Sequence, residues 1–398
     1  MISVRNLIIY STFPALFSSA LYFVVGGISV QLFYFFMVFN LVLMLYLGKV
    51  WAPPGLLVLV VFVLASGVAG IARTSDTVPL FSKELAGISV SALYFCCFAR
   101  LTDFDVNECF RNYAHTAYYV ALVGLILFPI QFKWFDLPRL QSVLREPAMF
   151  AITCLPALYY FADQCQRHRR DGTKLLVLGL AFALAGSSVG FLGIMFGICV
   201  FGRRYKHGAV LIPAAVALMG IGVYAASSDF RMRLNDTAKS SQTFDVSEAN
   251  ISTLAFVSNA YVTFQSVRDH PLVGTGVGSH KLSHEKFIGM VPGVEQWEDT
   301  AALEIAAADA NSLFLRVLSE CGILGILLVL WFIWHYRARN GQGVEGISQA
   351  IWVYFFVKLL RGGAYFSPEQ FFFIVLYAVN GRSRRFPELE CRGVRNGQ

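Results

Sequence analysis

The chain has 398 residues, of which 56% are hydrophobic and only 14% charged, with 36 Phe and a formal net charge of +7. Apolar runs recur from end to end with no soluble domain of ordinary size between them, which excludes a soluble enzyme and leaves no nucleic-acid partner to expect. The class is an all-α polytopic membrane protein, because a bilayer core of about 30 Å takes roughly 20 apolar residues per helical span.

In chain order the first spans are Leu7–Gly26, Ile28–Leu47, Pro54–Ala72, Pro79–Ala99 and Ala114–Ile130, each closed by a charged or turn residue. The first reads as a retained helix rather than a signal peptide, since Ser18 and Ser19 lie inside it and no convincing cleavage site follows. Beyond the fourth span stands Asp103-Phe-Asp105, superficially the Asp-x-Asp that holds metal and nucleotide-sugar in soluble glycosyltransferases. A short cytoplasmic loop has no room for such a domain, so the pair reads as a solvated loop or helix cap.

A smaller outer loop, Gln131–Glu146, precedes the span Pro147–Ala162. Leu175–Gly202 is then too long for one comfortable span and carries Gly186-Ser187-Ser188 at its centre. As one helix it would put the basic clusters Arg167–Arg170 and Arg203–Lys206 on opposite sides, against the positive-inside tendency. As two half-length helices it leaves both clusters cytoplasmic, with Arg5, Lys49, Arg100, Arg111, Arg337, Arg339, Arg382, Arg384 and Arg385. Each half-helix rises about 21 Å at 1.5 Å per residue, so the break sits below the outer surface, facing protein or a watery cavity.

Gly208–Ala226, Ser312–Tyr336, Ile347–Ala364 and Phe366–Asn380 complete about twelve transmembrane helices, with a large external loop before the tenth. Residues 1–226 thus hold nine spans with short loops, 227–311 the large loop, 312–380 three spans and 381–398 a basic cytoplasmic tail. Both termini are expected in the cytoplasm.

Late in the large loop, His270-Pro-Leu-Val-Gly-Thr-Gly-Val-Gly-Ser-His280 spaces three glycines two residues apart. Such spacing suggests a phosphate cradle, but an outer-face loop meets no nucleotide, and the Gly-Lys-Ser/Thr ending of a P-loop is missing. None of the eight cysteines falls in this loop, which argues against a disulfide framework. No metal is expected either: there is no Cys-x-x-Cys, and His280 and His284 lack the Glu of a zincin pattern.

The outer face collects Arg139, Arg145, Arg231, Arg233, Arg268, Arg316, Lys358 and Arg361. Arg316 and Lys358 fall inside apolar helices, where a charge costs roughly 2.5 to 3.5 kcal/mol. Such cations either snorkel or pair with Glu320, Glu369 or a carbonyl, or they surround the diphosphate of a lipid-linked substrate. Arginine suits the last task because its planar fork binds phosphate oxygens bidentately and stays charged when desolvated.

Four stretches resemble the O-antigen ligase and polymerase superfamily of bacterial inner-membrane glycosyltransferases. They are Arg145-Glu-Pro-Ala-Met-Phe-Ala151 opening a helix, Ser187-Ser188 at a helix break, His270 to Gly278 late in the outer loop, and Asn311-Ser-Leu-Phe-Leu-Arg-Val-Leu-Ser-Glu-Cys-Gly-Ile-Leu-Gly325 entering the next helix. The resemblance implies transfer of a glycan from undecaprenyl diphosphate to an acceptor at the periplasmic face, without nucleotide sugar, cofactor or obligatory metal. It implies as partners the lipid-linked donor and acceptor and the bilayer, with a chain-length regulator as a further candidate. Ligases of the superfamily, which pass polymer to lipid A core, typically carry a histidine where this chain has Asn311. The Glu146-Pro147-Ala148 sequence looks like the Glu-Pro-Ser signature of O-antigen and exopolysaccharide polymerases, with Ala148 at the serine. Both features favour a polymerase over the alternative, a ligase.

The mechanism this implies is attack by an acceptor sugar hydroxyl on the anomeric carbon of the donor, with undecaprenyl diphosphate leaving. Arg145 and Arg316, with Arg139, would stabilise the developing charge, and Glu146 or His270 would take the proton. Ser187, Ser188, Gly274, Gly276, Gly278, Asn311, Lys358 and Arg361 are the expected substrate-binding positions, the glycines doubling as a plain turn between two helices. A flippase or other transporter is the alternative from another class. Against it stand the lack of an evident internal repeat and the single large outer loop.

Overall fold

The computed structural model describes residues 3–25, 28–135, 137, 139–168, 171–202, 218, 221–222, 224–225, 228–297, 301–338 and 344–382. Caps and prolines set most helix starts. Ser3 accepts from the Asn6 amide to begin α1 (Val4–Ala15), Asp105 accepts from Glu108 to begin α5 (Val106–Trp134), and Pro54 and Pro147 open α3 (Pro54–Ile71) and α6 (Pro147–His168) without wasting an amide. The other helices up to the large loop are α2 (Leu32–Tyr46), α4 (Thr77–Leu101), α7 (Gly172–Ala185) and α8 (Ser188–Gly202). The Asp-x-Asp pair is therefore a helix cap, with Asp103 ion-paired to Arg5 at 3.3 Å and Lys49 at 3.7 Å.

Four helices among the described residues, α3, α4, α5 and the later α12 (Leu313–His335), are long and apolar enough to cross a membrane. Shorter apolar helices, α2, α7 and α8, accompany them. The expected Leu7–Gly26 and Ile28–Leu47 spans are corrected. After Pro14 helix α1 stops at Ala15, and Tyr22–Val25 (β1) pairs antiparallel with Ile28–Gln31 (β2) before α2 starts. Val, Ile, Tyr and Phe favour a pleated strand. The expected span Gly208–Ala226, the basic residues at 203–206 and the tail beyond 382 lie outside the described residues, apart from scattered positions between 218 and 225.

Leu175–Gly202 is divided as its sequence indicates: α7 ends on Gly186 in the left-handed region (φ 53°), and α8 restarts two residues later. Residues 228–311 fold onto the bundle as α9 (Ser228–Thr243), α10 (Ile251–Asp269) and α11 (His280–Phe287), followed by short 3-10 turns. Val246, Leu254, Val257, Val291 and Val294 form a small core of their own there. Helices α13 (Val344–Leu360) and α14 (Pro368–Arg382) close the bundle.

In a bilayer, lipid tails are as apolar as leucine, so helices associate through close packing rather than hydrophobic burial. Gly193 in α8 is the pivot of one such packing: a Cβ there would meet both Leu155 of α6 and Val357 of α13. Aromatic rings fill the centre, with Phe95, Tyr113, Phe372 and Phe373 in edge or tilted pairs. Leu57, Val58, Val61 and Val68 on α3 and Phe35, Phe39 and Val42 on α2 remain exposed, an apolar belt of the kind that faces lipid. The chain is thus a largely helical, multi-pass membrane protein.

Candidate functional site

The site is assembled at one end of the bundle. Gly190 of α8 packs on Ala151 of α6, and Gly193, a turn deeper, packs on Leu155 and Val357, so α6 and α8 run together while α13 runs against them. The N-terminal ends of α6 and α8 therefore meet the C-terminal end of α13. It puts Arg145, Glu146, Ser187, Ser188, Lys358 and Arg361, far apart in the chain, at the same end of the bundle.

The loop before α6 is latched into place. Ser142 Oγ donates to the Val120 carbonyl at 2.7 Å, Gln131 donates to the Ser142 carbonyl, and the Leu140 amide donates to the Leu184 carbonyl. Arg139 runs along the end of α7, its Cδ 3.6 Å from where a Cβ on Gly186 would stand. The Arg145 amide donates to Ser19 Oγ at 3.3 Å, while the Arg145 and Glu146 side chains are exposed and make no ion pair with the described residues. Ser187 is buried and caps α8, accepting from the Gly190 amide, whereas Ser188 is half-buried.

The glycine loop has a different partner from the one its spacing suggested. Helix α12 breaks at Gly322 (φ 63°, ψ −161°), which frees the backbone groups on both sides of the break. The loop takes up all four. Thr275 and Gly276 amides donate to the Ser319 and Glu320 carbonyls at 3.0 and 2.8 Å, and the Ile323 and Leu324 amides donate to the Pro271 and Leu272 carbonyls. The Gly278 amide donates to Glu320 Oε2 at 3.0 Å, and the Gly274 amide to the His270 carbonyl. These amides are spent within the protein, which corrects the expectation that they face a phosphate or sugar. Gly276, at φ 105°, has no room for a side chain, since a Cβ would stand 2.5 Å from Gly70 Cα. Arg73, at the end of α3, adds a 2.6 Å bond to the Gly274 carbonyl.

Arg316 is also committed inside. It is 4% exposed and pairs with Glu84 at 2.9 Å and, one turn along α12, with Glu320 at 3.2 Å. Its third bond goes to the Gly363 carbonyl, and its guanidinium lies 4.2 Å from the centre of the Tyr365 ring. Two carboxylates around one guanidinium leave no net positive charge for a diphosphate, which corrects the role expected of this residue. Lys358 likewise bonds Ser367 at 2.8 Å and Glu369 at 3.3 Å, and Tyr354 completes that carboxylate's shell. Of the two readings the sequence left open for these intramembrane cations, pairing is the observed one. Asn311 (φ 60°) passes its carbonyl to the Gly362 amide, and its side-chain Nδ2 is buried with no hydrogen-bond partner.

His280 shows how far the interior is wired. Asn259 Nδ2 donates to the Ala255 carbonyl, which turns its Oδ1 toward His280 Nε2 at 2.9 Å and places the imidazole proton on that nitrogen. Ser319 Oγ then donates to His280 Nδ1 at 3.0 Å. The connectivity is that of a nucleophile, base and orienter, yet all three residues are fully buried, so it ties α10, α11 and α12 together. Burial, with Arg316 and His284 nearby, pushes the His280 pKa down to about 3. His270, by contrast, ends α10 with a half-buried ring that hydrogen-bonds no described residue. No cluster of three or more His, Cys, Asp or Glu suited to a metal ion occurs among the described residues.

Sequence reasoning missed Glu84, Arg73, Asn259 and Ser319. Glu84 alone carried a signal, an acidic side chain inside the apolar run 79–99.

Residues 174–330 match the family model described as O-antigen ligase. The match supports the superfamily resemblance and covers three of its four motifs, from Ser187 to Gly325. No curated protein matches the chain.

Proposed function

We propose that the protein is a polysaccharide polymerase of the bacterial inner membrane, joining polyprenyl-diphosphate-linked repeat units at the periplasmic face. The observation that carries this reading is the exposed Arg145–Glu146 couple at the start of α6, which forms no ion pair with the described residues and follows the loop whose Arg139 lies against the α7–α8 break. The acceptor hydroxyl attacks the anomeric carbon of the donor, the bond from that carbon to the diphosphate oxygen breaks, and the diphosphate carries away the electron pair. Arg145, with Arg139, stabilises the charge growing on that oxygen, because an arginine fork stays charged at a membrane edge. Glu146 or His270 takes the hydroxyl proton; neither side chain hydrogen-bonds a described residue. Ser188 and Arg361 flank the same end and contact the glycan, while Arg316, Lys358 and the three glycines hold the walls.

Ligation of finished polymer to a lipid A core acceptor is the second reading, favoured by the description of the matching family. Asn311, in place of the ligase histidine, favours polymerisation. Purified protein in detergent, given lipid-linked repeat units alone, should build a ladder of products without a membrane gradient. Single transfers that require added lipid A core would instead establish a ligase, and no product under either condition would remove both.

A further inference from the structure

The Glu84–Arg316–Glu320 cluster has chemistry left over. Glu84 is 7% exposed, and while Oε1 pairs with Arg316, its Oε2 is buried with no hydrogen-bond partner. The hydroxyl of Tyr365, whose ring lies under the same guanidinium, is also buried and unpartnered. Asn311 Nδ2 is a third such atom, on the segment whose carbonyl bonds Gly362, next to the Gly363 that receives Arg316. A buried polar atom left unpaired costs about 1 to 3 kcal/mol, so two beside the Arg316 guanidinium and a third on the segment that bonds Gly362 form an unusual concentration. They comprise one acceptor, one donor and one hydroxyl able to do either. That set complements the hydroxyls of a sugar ring, which both donate and accept. It does not complement a phosphate, which has only acceptor oxygens and would face two carboxylates.

We propose that Glu84, Tyr365 and Asn311 form a buried subsite for a neutral, hydroxyl-bearing sugar, in which Glu84 Oε2 accepts a sugar hydroxyl. The subsite deepens the glycan-transfer reading and rests on it for the identity of the ligand. It separates the two tasks of the site: exposed Arg145 meets the charged carrier, and the anionic cluster at Arg316 receives the uncharged sugar.

The test is equilibrium binding by calorimetry in detergent. The probe is the phosphate-free repeat oligosaccharide released from the producing cell's own polysaccharide, with inorganic pyrophosphate as the comparison. Glu84→Gln retains an oxygen for Arg316 but replaces the free acceptor by a donor. It should weaken oligosaccharide binding about ten-fold or more and leave pyrophosphate binding unchanged. Tyr365→Phe keeps the ring under Arg316 and should weaken the oligosaccharide several-fold; it decides the matter if Glu84→Gln does not fold. An oligosaccharide that fails to bind wild type, or binds the folded variants equally well, overturns the subsite. The transfer reading fails separately, if wild type binds the oligosaccharide yet forms no product from lipid-linked units.

Discussion

The Glu320 carboxylate receives the backbone amide of Gly278 at 3.0 Å, joining the broken turn of α12 to a loop more than forty residues earlier in the chain. The same carboxylate accepts from the His280 amide and from Arg316, so it holds a loop, a helix start and a buried cation together. Glu320→Gln should therefore lower the melting temperature in detergent strongly, since each charge-assisted bond lost is worth about 1.5 to 3 kcal/mol. Gly276→Ala should do the same by sterics, its Cβ having no space beside Gly70. Wild-type melting of both variants would show that the loop is not braced on α12.

Arg145→Ala should abolish polymer while leaving protein in the membrane, and Arg145→Lys should restore little, because a point charge cannot reproduce bidentate contact. The loss of one such bond in the transition state corresponds to roughly ten- to two-hundred-fold in rate. Lys239→Ala is the control: Lys239 is exposed and paired with Glu248 at 2.7 Å, and a surface pair contributes little. Ladders of normal length from Arg145→Ala, at matched protein levels, would dismiss the carrier-binding role.

Lys358→Met should destabilise the protein by about 3 to 5 kcal/mol, because it strands the buried Glu369 carboxylate. Adding Glu369→Gln should recover much of that loss. Unfolding of the two single variants and the double variant measures the coupling. Simple additivity would mean that the pair is not held as the structure has it.

His280 sets an acid limit on stability. Its folded pKa, about 3, lies below the usual histidine value near 6.5, so between those pH values the unfolded chain binds the extra proton. The stabilisation is whole above about pH 6.5 and is lost as pH falls toward 3. His280→Gln should start from a lower melting temperature but lose less of it between pH 7 and pH 4.5. Parallel curves for the two proteins would exclude the imidazole as the source.

Topology is open to direct labelling. In a background without the native cysteines, a single cysteine at Ser241, in α9, should react with an impermeant thiol reagent applied from outside. One at Gly172, which begins α7 among the basic residues near Arg167, should not. Labelling at Gly172 would reverse the orientation and remove the outward-facing site.

The sequence by itself determined the class of protein, most helix positions and the break between α7 and α8. Each of these depends on one segment: the transfer free energy of an apolar run, the missing amide of Pro54 or Pro147, the left-handed turn at Gly186. Where the same apolar signal serves helix and strand alike, as at Tyr22–Gln31, local composition did not decide between them, and the hairpin was misread as membrane helix. Only the tertiary structure decided which charges are spent and which are free. Arg145 and Arg316 are both outer-face arginines in the sequence, one ahead of an apolar helix and one inside another; an ion pair from α4 brings Glu84 to Arg316, and no described residue forms an ion pair with Arg145. The glycine loop teaches the same lesson, because its amides look available until Gly322 breaks a helix beside them and exposes carbonyls that need donors. A charge or an amide acquires its role from a partner remote in the chain, and such partners are set by long-range packing that neither periodicity nor spacing encodes.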